Sequence, residues 1–230
     1  MRALSFLMLA SLTLSAGLAA PLAAQYPAPA ATPAAHNADP DHMVQGTGLP
    51  AGWSGRADGA RLLSGAKFEA MGTGFHVTTG PAVILYRAAD HATGAFHTLA
   101  TFTQMKAPMH PEGYGMIIAG NALDTAAQAY IYVLVRGDGT YLIKRRVGAT
   151  VTTIVDWTAS PAVNKADSAG KATNKIEVQS SGGKLAFTIN GQKLYEMAAT
   201  PAETDGMIGL RVNHNLDVHV EGFAVHHIGG

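Results

Sequence analysis

The chain has 230 residues, of which 47% are hydrophobic and only 14% are charged, enough apolar surface for one large β domain or two small ones. The 16 Lys and Arg residues balance the 16 Asp and Glu residues, so the chain lacks the basic excess typical of nucleic-acid binding. It has no cysteine, which excludes disulfides, cysteine-ligated zinc and a cysteine nucleophile.

Residues 1–24 have the pattern of a signal peptide. Arg2 gives a positive start, an apolar run follows over residues 3–14, and small residues come next. This run has the length expected of a signal peptide and is short for a membrane span. We predict cleavage near Ala24 and export to the periplasm or the cell exterior, without stable membrane insertion afterwards. Cleavage at the earlier Ala19 or Ala20, or an uncleaved anchor, is the alternative.

Residues 25–49 are rich in Ala and Pro and lack apolar periodicity. This composition predicts a disordered or extended linker. His36 and His42 lie here beside two Asp residues, and we interpret them as solvated linker residues and not as a metal site. A single β domain is then predicted over residues 50–230.

The domain predicts a series of short strands. Runs of β-branched and aromatic residues are separated by Gly, Pro and Asn turn signals every ~8–12 residues, with almost no helix. About a dozen strands with this spacing predict an all-β, antiparallel sandwich or barrel. The predicted strands cover 74–79, 82–87, 95–105, 114–119, both arms of 129–148, 150–157, 174–180, 184–189, 192–197, 206–213 and 216–226.

Two connections stand out between these strands. Residues 121–128 are polar and Ala-rich, and they suggest one helical turn. Residues 158–173 form the longest predicted loop inside the domain. Loops of this length are uncommon in compact domains and are often functional.

Residues 129–148 predict the hairpin around which the domain is organised. Two apolar runs flank Gly137-Asp138-Gly139, and Asp-Gly in this position favours a tight turn because both residues accept positive φ. Both faces of the first strand carry large side chains, which predicts a place inside a sheet. The turn could bind Ca²⁺ through carbonyls and Asp138, but a hairpin explains these residues fully, and we predict no cofactor.

The faces of this hairpin suggest a carbohydrate ligand. Two Tyr and one Arg share a face of the first strand, and one Tyr and one Arg share a face of the second. Sugars stack on aromatic rings and hydrogen-bond with planar groups; alternatively, the rings are core and the Arg heads reach solvent. Trp157 before the long loop and His110 before a strand are added as rim candidates. The predicted ligand-binding residues are Tyr130, Tyr132, Arg136, Tyr141, Arg145, Trp157 and His110.

The last predicted strand, 216–226, has two faces of opposite character. Apolar side chains occupy positions 216, 218 and 220, and the alternate positions are polar. The alternation of apolar and polar positions is shifted by one residue at Gly222, where a β-bulge would return Phe223 to the core face. The polar face carries Asp217, His219 and Glu221.

Residues 174–225 carry the order of motifs of a known superfamily. A strand ending in Asn190-Gly191 precedes Asp-Gly-Met-Ile-Gly-Leu at 205–210 and Val-His-Val-Glu-Gly-Phe-Ala-Val at 218–225. The sequence resembles the concanavalin-A-like lectin/glucanase superfamily over about Trp53 to Val225, in particular bacterial secreted domains similar to 3-keto-disaccharide hydrolases and family-16 glycosidases. Glu221-Gly222 departs from the Asp-Asn of that pattern. The resemblance implies a jelly-roll sandwich of two curved sheets with ligands across the concave face.

A catalytic motif is less evident than the fold. The family-16 enzymes place their carboxylates on one strand as E-x-D-x-x-E, and this motif is absent. The nearest imitation is the polar face of the last strand, which could hold a metal or a sugar or could simply face solvent. We predict no metal site. The candidate catalytic residues are Glu112, Asp217, His219 and Glu221.

Three functions follow from this pattern. The favoured one is an exported jelly-roll domain that binds carbohydrate without cleaving it. The second is a glycoside hydrolase or lyase that acts on ordinary or 3-keto-glycosides. The third is a structural or adhesion module of the cell surface. The sequence does not choose the sugar or the oligomeric state.

Overall fold

A computed structural model describes residues 39–59 and 61–228. The predicted signal peptide with its cleavage site near Ala24, and residues 25–38 of the predicted linker, lie outside the described residues. Within the described ranges, no helix is long and apolar enough to cross a membrane.

Fourteen strands and one short helix make up the described domain. In chain order the strands are β1 (Trp53–Ala57), β2 (Ala66–Met71), β3 (Gly74–Thr79), β4 (Val83–Ala92), β5 (Phe96–Gln104), β6 (Gly113–Asn121), β7 (Ala129–Arg136), β8 (Thr140–Val147), β9 (Thr150–Ala159), β10 (Ala172–Ser181), β11 (Lys184–Ile189), β12 (Gln192–Ala198), β13 (Gly206–Val212) and β14 (Asp217–His227). A 3-10 turn spans Leu63–Gly65, and the helix α1 spans Pro201–Thr204.

The strands form two seven-stranded antiparallel sheets. The front sheet has the order β1-β4-β13-β6-β7-β8-β9, and the back sheet has the order β12-β11-β10-β5-β14-β3-β2. Strand β7 lies inside the front sheet, between β6 and β8, as its two-sided apolar pattern predicts. The predicted antiparallel sandwich is confirmed.

Alternation along the strands builds the core between the sheets. Strand β5 buries every second residue from Phe96 to Gln104, and β7 sends Ile131, Val133 and Val135 into the same core. Strand side chains alternate between the two faces of a sheet, so the remaining β7 residues point away from the back sheet. The front sheet therefore has a second, outward face.

Tight turns join the hairpins where the sequence predicts them. Gly139 has φ of 89°, and Asp138 Oδ1 accepts hydrogen bonds from the Thr140 amide and hydroxyl. Asn190 and Gly191 have φ of 50° and 80°, which is the conformation that a two-residue hairpin turn requires. The hairpins at 129–148 and 184–198 are thus confirmed.

The predicted bulge in the last strand is also confirmed. The register of β14 against β5 shifts between Glu221 and Ala224, and Gly222 has φ of 62°. After the bulge, the Phe223 ring packs against the core, with its centroid 5.8 Å from that of Trp53. The glycine is required because other residues adopt this backbone conformation at a cost.

Three connecting segments differ from their predictions. Residues 122–127 form turns and bends and no helix, while the helix α1 was not predicted. The long loop covers residues 160–171, because β9 extends to Ala159 and β10 begins at Ala172. β9 and β10 extend beyond their predicted ends because hydrogen bonds to the neighbouring strands satisfy their backbone N–H and C=O groups.

Residues 39–49 have no regular secondary structure but are tied to the domain. The His42 amide donates to Asn215 Oδ1 at 2.7 Å, and Asn215 Nδ2 donates to Asp39 Oδ1 at 2.9 Å. The Gly46 amide donates to Ser64 O at 2.8 Å. These contacts revise the predicted boundary at Pro50, since residues 39–49 pack as part of the domain and not as a linker.

Candidate functional site

The outward face of the front sheet carries a second cluster of large side chains. Its members lie on the opposite side of the sheet from the inter-sheet core, as the alternation of β7 requires. The cluster consists of Ile84, Ile117, Leu123, Tyr130, Tyr132, Leu134 and Leu142, with Tyr86, Trp157 and Met207 packed against it.

Two connections cover the tyrosines of this face. The loop between β6 and β7 places Leu123 in the cluster, and the Arg56 guanidinium donates to the Thr125 carbonyl of the same loop. Asp58, which follows β1, reaches the side chains of the central strands. Tyr130 and Tyr132 are consequently only 2% and 8% exposed. Neither ring is therefore open to a ligand on this face.

Asp58 and Arg211 form the polar centre of this face. Arg211 donates from Nη2 to Asp58 Oδ2 at 2.6 Å and from Nη1 to Tyr130 Oη at 3.2 Å. Its guanidinium also lies 5.1 Å from the centroid of the Tyr132 ring, and Arg146 approaches Asp58 at 3.8 Å. Arg211 is 8% exposed, so its charge depends on these partners.

The pair holds both groups in their charged forms. Burial acts to raise the pKa of Asp58, but Arg211, helped by Arg146 and Arg56, outweighs it, and the pKa lies below its usual value. Burial acts to lower the pKa of Arg211, but nearby Tyr130 and Asp58 outweigh it, and the pKa is raised. Burial also raises the pKa of Tyr132, so this ring keeps its hydroxyl proton at neutral pH.

An open cleft of about 390 Å³ lies beside this pair. It is formed where the ends of β1 and β13 meet the start of β4 and the residue before β6. Its wall includes both Asp58 and Arg211, so it is continuous with the polar centre of the front sheet. The side chains that line the cleft are Asp41, Asp58, Arg61, Glu112, Arg211, Asn213 and His214.

Glu112 is held in the cleft by its two neighbours on the β13–β14 connection. His214 Nε2 lies 2.8 Å from Glu112 Oε1, and Asn213 Nδ2 donates to Glu112 Oε2 at 3.1 Å. On the other side of the imidazole, His214 Nδ1 lies 3.6 Å from Asp41 Oδ1, and Arg61 Nε lies 3.3 Å from the second oxygen of Asp41. The cleft is therefore lined by polar groups whose positions are already fixed.

The carboxylates of Glu112 and Asp41 cannot share one cation, because they lie at opposite nitrogens of the His214 ring. In keeping with this geometry, the described part of the chain contains no group of three or more His, Cys, Asp or Glu side chains placed to hold a metal. The arrangement instead presents hydrogen-bonding groups to a ligand.

The predicted ligand residues divide between two environments. Arg136 and Trp157 come together on the outward face, with the guanidinium 3.5 Å from the ring centroid, and Glu112 acts electrostatically on Arg136. Tyr141, by contrast, is 7% exposed and belongs to the inter-sheet core, and Arg145 forms an ion pair with Glu203 of α1.

The register of the hairpin explains this division. Val135 is paired with Tyr141, and Ile131 is paired with Arg145. Because directly opposed residues share a face, Tyr141 and Arg145 point to the side opposite Tyr130 and Tyr132. The Tyr and Arg residues of the hairpin therefore lie on two different faces of the front sheet. The remaining candidate, His110, is exposed in the loop 105–112.

The four catalytic candidates also lie apart. Glu112 belongs to the cleft of the front sheet, whereas the polar residues of β14 lie on the outward face of the back sheet. There Asp217 pairs with His76 at 2.6 Å, and His219 pairs with Glu221 at 3.2 Å. A single site built from all four candidates is excluded by this placement.

Sequence reasoning missed Asp58, Arg211, Asn213 and His214. A signal for Arg211 exists: Ile208, Leu210 and Val212 are apolar and enter the core, so the Arg between them must face outward. The other three residues lie in connections, and their convergence depends on the way that distant strands pair. Nothing in their local sequence indicates it.

Solved structures share this fold at low sequence identity. The carbohydrate-binding module CBM66 from Bacillus subtilis gives a TM-score of 0.55 at 9% identity, over 76% of this chain and 95% of that one. A Bacillus subtilis protein of unknown function with a galectin-like fold gives 0.55 at 13% identity, over 76% and 89%. The beta-glucanase of Bacillus licheniformis gives 0.53 at 9% identity, over 80% and 95%.

No protein-family model and no curated protein matches the sequence. The structural neighbours nevertheless include a carbohydrate-binding module and a glucanase with the same two-sheet architecture. The chain therefore shares the two-sheet jelly-roll fold of these structures, and the fold that the resemblance implies is confirmed.

Proposed function

We propose that the chain is an exported carbohydrate-binding domain and that the front-sheet cleft holds a neutral sugar. The observation that carries the proposal is the fixed set of polar groups around Glu112 and the Asp58–Arg211 pair. Carboxylate, amide and guanidinium groups match the alternating donors and acceptors of sugar hydroxyls. The groups are already bonded to one another, so little ordering is required on binding.

The charges of the cleft favour neutral sugars over uronates. Arg211 is already paired with Asp58, and Arg61 with Asp41. Glu112 adds a further negative charge, so a ligand carboxylate would meet like charge and no cation without a carboxylate partner. Hydroxyl groups, in contrast, can donate to the carboxylates and accept from the guanidinium and amide groups.

The fold relatives are in line with a ligand of this kind. One structural neighbour is described as a carbohydrate-binding module and another as a beta-glucanase. Their identity to this chain is 9% in both cases, so they support the fold and leave the ligand to be argued from the cleft.

A binding screen tests the proposal. Affinity electrophoresis with neutral glucans, fructans and xylans should retard the full chain, whereas alginate and polygalacturonate should not. Asn213→Ala removes a partner of Glu112 and should weaken retardation by about tenfold, the value of one hydrogen bond to a charged group. Gln179→Ala, an exposed change on the back sheet, is the control. Retardation by the uronates alone would overturn the proposal.

Glycoside hydrolysis is the second candidate, because Asp58 and Glu112 line the same cleft. A retaining glycosidase needs two carboxyl groups about 5–5.5 Å apart, one of which gives up a proton to the leaving group. Both oxygens of each carboxylate here already accept hydrogen bonds or pair with His214. We therefore favour binding. Release of reducing sugar from glucans or 3-keto-glucosides, lost in Glu112→Gln, would establish the enzyme instead.

Export is supported by the signal-peptide pattern of residues 1–24. Amino-terminal sequencing of the protein recovered from the periplasm or medium should begin at Gln25. Recovery of uncleaved chain in the membrane fraction would contradict this part of the proposal.

A further inference from the structure

A second, smaller cavity lies beside the loop 105–112, whose last residue lines the cleft. It has a volume of about 270 Å³ and is formed by the loop 105–112, the β7–β8 turn and the loop 160–171. Its floor is Gln104, the last residue of β5. We call it the loop pocket, lined by Gln104, Ala107, Pro108, Met109, Pro111, Gly137, Asp138 and Ala166.

The walls of the loop pocket are fixed by hydrogen bonds. The Ala166 amide donates to Gly137 O at 2.7 Å, which ties the long loop to the hairpin turn. Gln104 Nε2 donates to Gly170 O at 2.7 Å, and the Met105 amide donates to Asp217 O at 2.8 Å. A pocket held in this way is preformed, as small-ligand sites usually are.

The residue at the floor of the pocket carries a buried acceptor that no protein group uses. Gln104 is 1% exposed, and its Oε1 has no hydrogen-bond partner, while its Nε2 is committed to Gly170. A Cβ at Gly137 would lie 2.9 Å from Gln104 Nε2, so the glycine gives the amide its place beside the turn. A buried acceptor left without a donor is destabilising, and a ligand hydroxyl that donates to it relieves that cost.

The rest of the pocket is mainly apolar. Pro108, Met109 and Pro111 supply aliphatic surface, and Met109 is 68% exposed. The volume falls just below the ~300–1,000 Å³ typical of pockets for drug-sized ligands, so it suits one ring and not a chain. A sugar ring can pack its apolar C–H face against the Pro and Met side chains of the wall and direct a hydroxyl donor towards Gln104 at the floor.

The loop pocket and the cleft are lined by consecutive residues of the chain. Pro111 lines the pocket, and Glu112, the next residue, lines the cleft. We propose that the loop pocket is a second subsite, which takes one neutral pyranose ring of an oligosaccharide whose other end lies in the cleft. This inference rests on the proposed function. It adds that the ligand is a chain and that its affinity depends on length.

A length series with a pocket-filling variant tests the inference. Isothermal titration with β-1,3- and β-1,4-gluco-oligosaccharides, from the monosaccharide to the hexasaccharide, should show affinity that rises at least about tenfold with length. Ala166→Leu fills the pocket without removing a hydrogen-bonding side chain, and it should abolish the rise while leaving the affinity for the shortest bound sugar unchanged. Ala169→Leu, an exposed change in the same loop, is the matched control.

The outcomes separate the pocket from the cleft. Equal affinity for all lengths in the unaltered chain, or a rise that survives in Ala166→Leu, would overturn the subsite and leave the cleft standing. Failure of every length to bind would overturn both. Met109→Ala, at an exposed wall position, should reduce the rise several-fold and keeps the test valid if Ala166→Leu fails to fold.

Discussion

The two outward faces of the sandwich begin from the same strand pattern and reach opposite states. On the front sheet, aromatic and charged side chains are covered by connections, and Arg211 is buried with Asp58. On the back sheet, Glu221 is 60% exposed, while His76 and His219 keep 21% and 18% of their side-chain surface exposed. Alternation places a side chain on a face, but the connections above that face decide whether it is buried.

The different burial of the charged groups on the two faces bears on where a polar ligand can bind. The ion pairs of the back face keep partial contact with water, and Asp217 is shared between His76 and Lys106. Pairs of this kind contribute little to stability. The charges of the front face are partly withdrawn from water, which strengthens each interaction and fixes its geometry. A polar ligand can therefore be recognised more selectively at the front.

We expect the largest loss of stability when the ion pair between Asp58 and Arg211 is broken. Asp58→Ala leaves Arg211 buried without its main partner and should lower the free energy of unfolding by about 3 kcal/mol. Glu221→Ala, whose side chain is 60% exposed in its pair with His219, should cost less than about 1 kcal/mol. Urea denaturation of the two variants gives the comparison. Similar losses in both would contradict the difference between the faces.

Acid should destabilise the front face by protonating Asp58, the carboxylate of the same pair. Because the pKa of Asp58 is lowered by Arg211, the pair contributes stability above the unfolded pKa, near 4, and this contribution is lost as the pH falls through the folded value. Thermal melts between about pH 7 and pH 3 should show a drop that Asp58→Asn makes shallower. An equally steep drop in Asp58→Asn would show that other groups control acid stability.

A smaller effect is expected at the bulge of the back sheet. Gly222→Ala places a Cβ at φ of 62° and should cost about 1–2 kcal/mol. Sugar binding should not change, because the bulge lies in the back sheet. Loss of sugar binding in a folded Gly222→Ala protein would indicate that the sugar site lies on the back sheet and not in the front-sheet cleft.

The smallest effect is expected at His219. Its side chain pairs with the exposed Glu221 and its ring lies near that of His76, so His219→Ala should change stability by less than about 1 kcal/mol. Glycan affinity should also be unaffected, which affinity electrophoresis measures. A clear loss of affinity would restore the polar residues of β14 as site candidates.

Local sequence predicts the parts of this molecule that local physics determines. The hairpin turns, the alternating faces of β7 and β14 and the bulge at Gly222 all follow from residues close in sequence. Glu112 was predicted as a site candidate, and it lies in the cleft. Its role there stays a prediction.

The remainder depends on contacts between distant segments. Parity shows that Tyr130 and Tyr132 share a face, but the cover over them comes from Asp58 and from the loop after β6. Glu112 meets Asn213 and His214 only because β6 pairs with β13. The polar residues of β14 could not be assigned to a sheet from parity alone, because both sheets have an outward face.

One pair of variants tests the central claim most directly, that the front-sheet cleft is the glycan site. Glu112→Gln and Glu221→Gln make the same chemical change on opposite sheets. Titration with the tightest neutral oligosaccharide of the screen should show a loss of about tenfold or more for Glu112→Gln, the value of a hydrogen bond to a charged group. It should show no change for Glu221→Gln. Unchanged affinity in Glu112→Gln, or a larger loss in Glu221→Gln, would contradict the account.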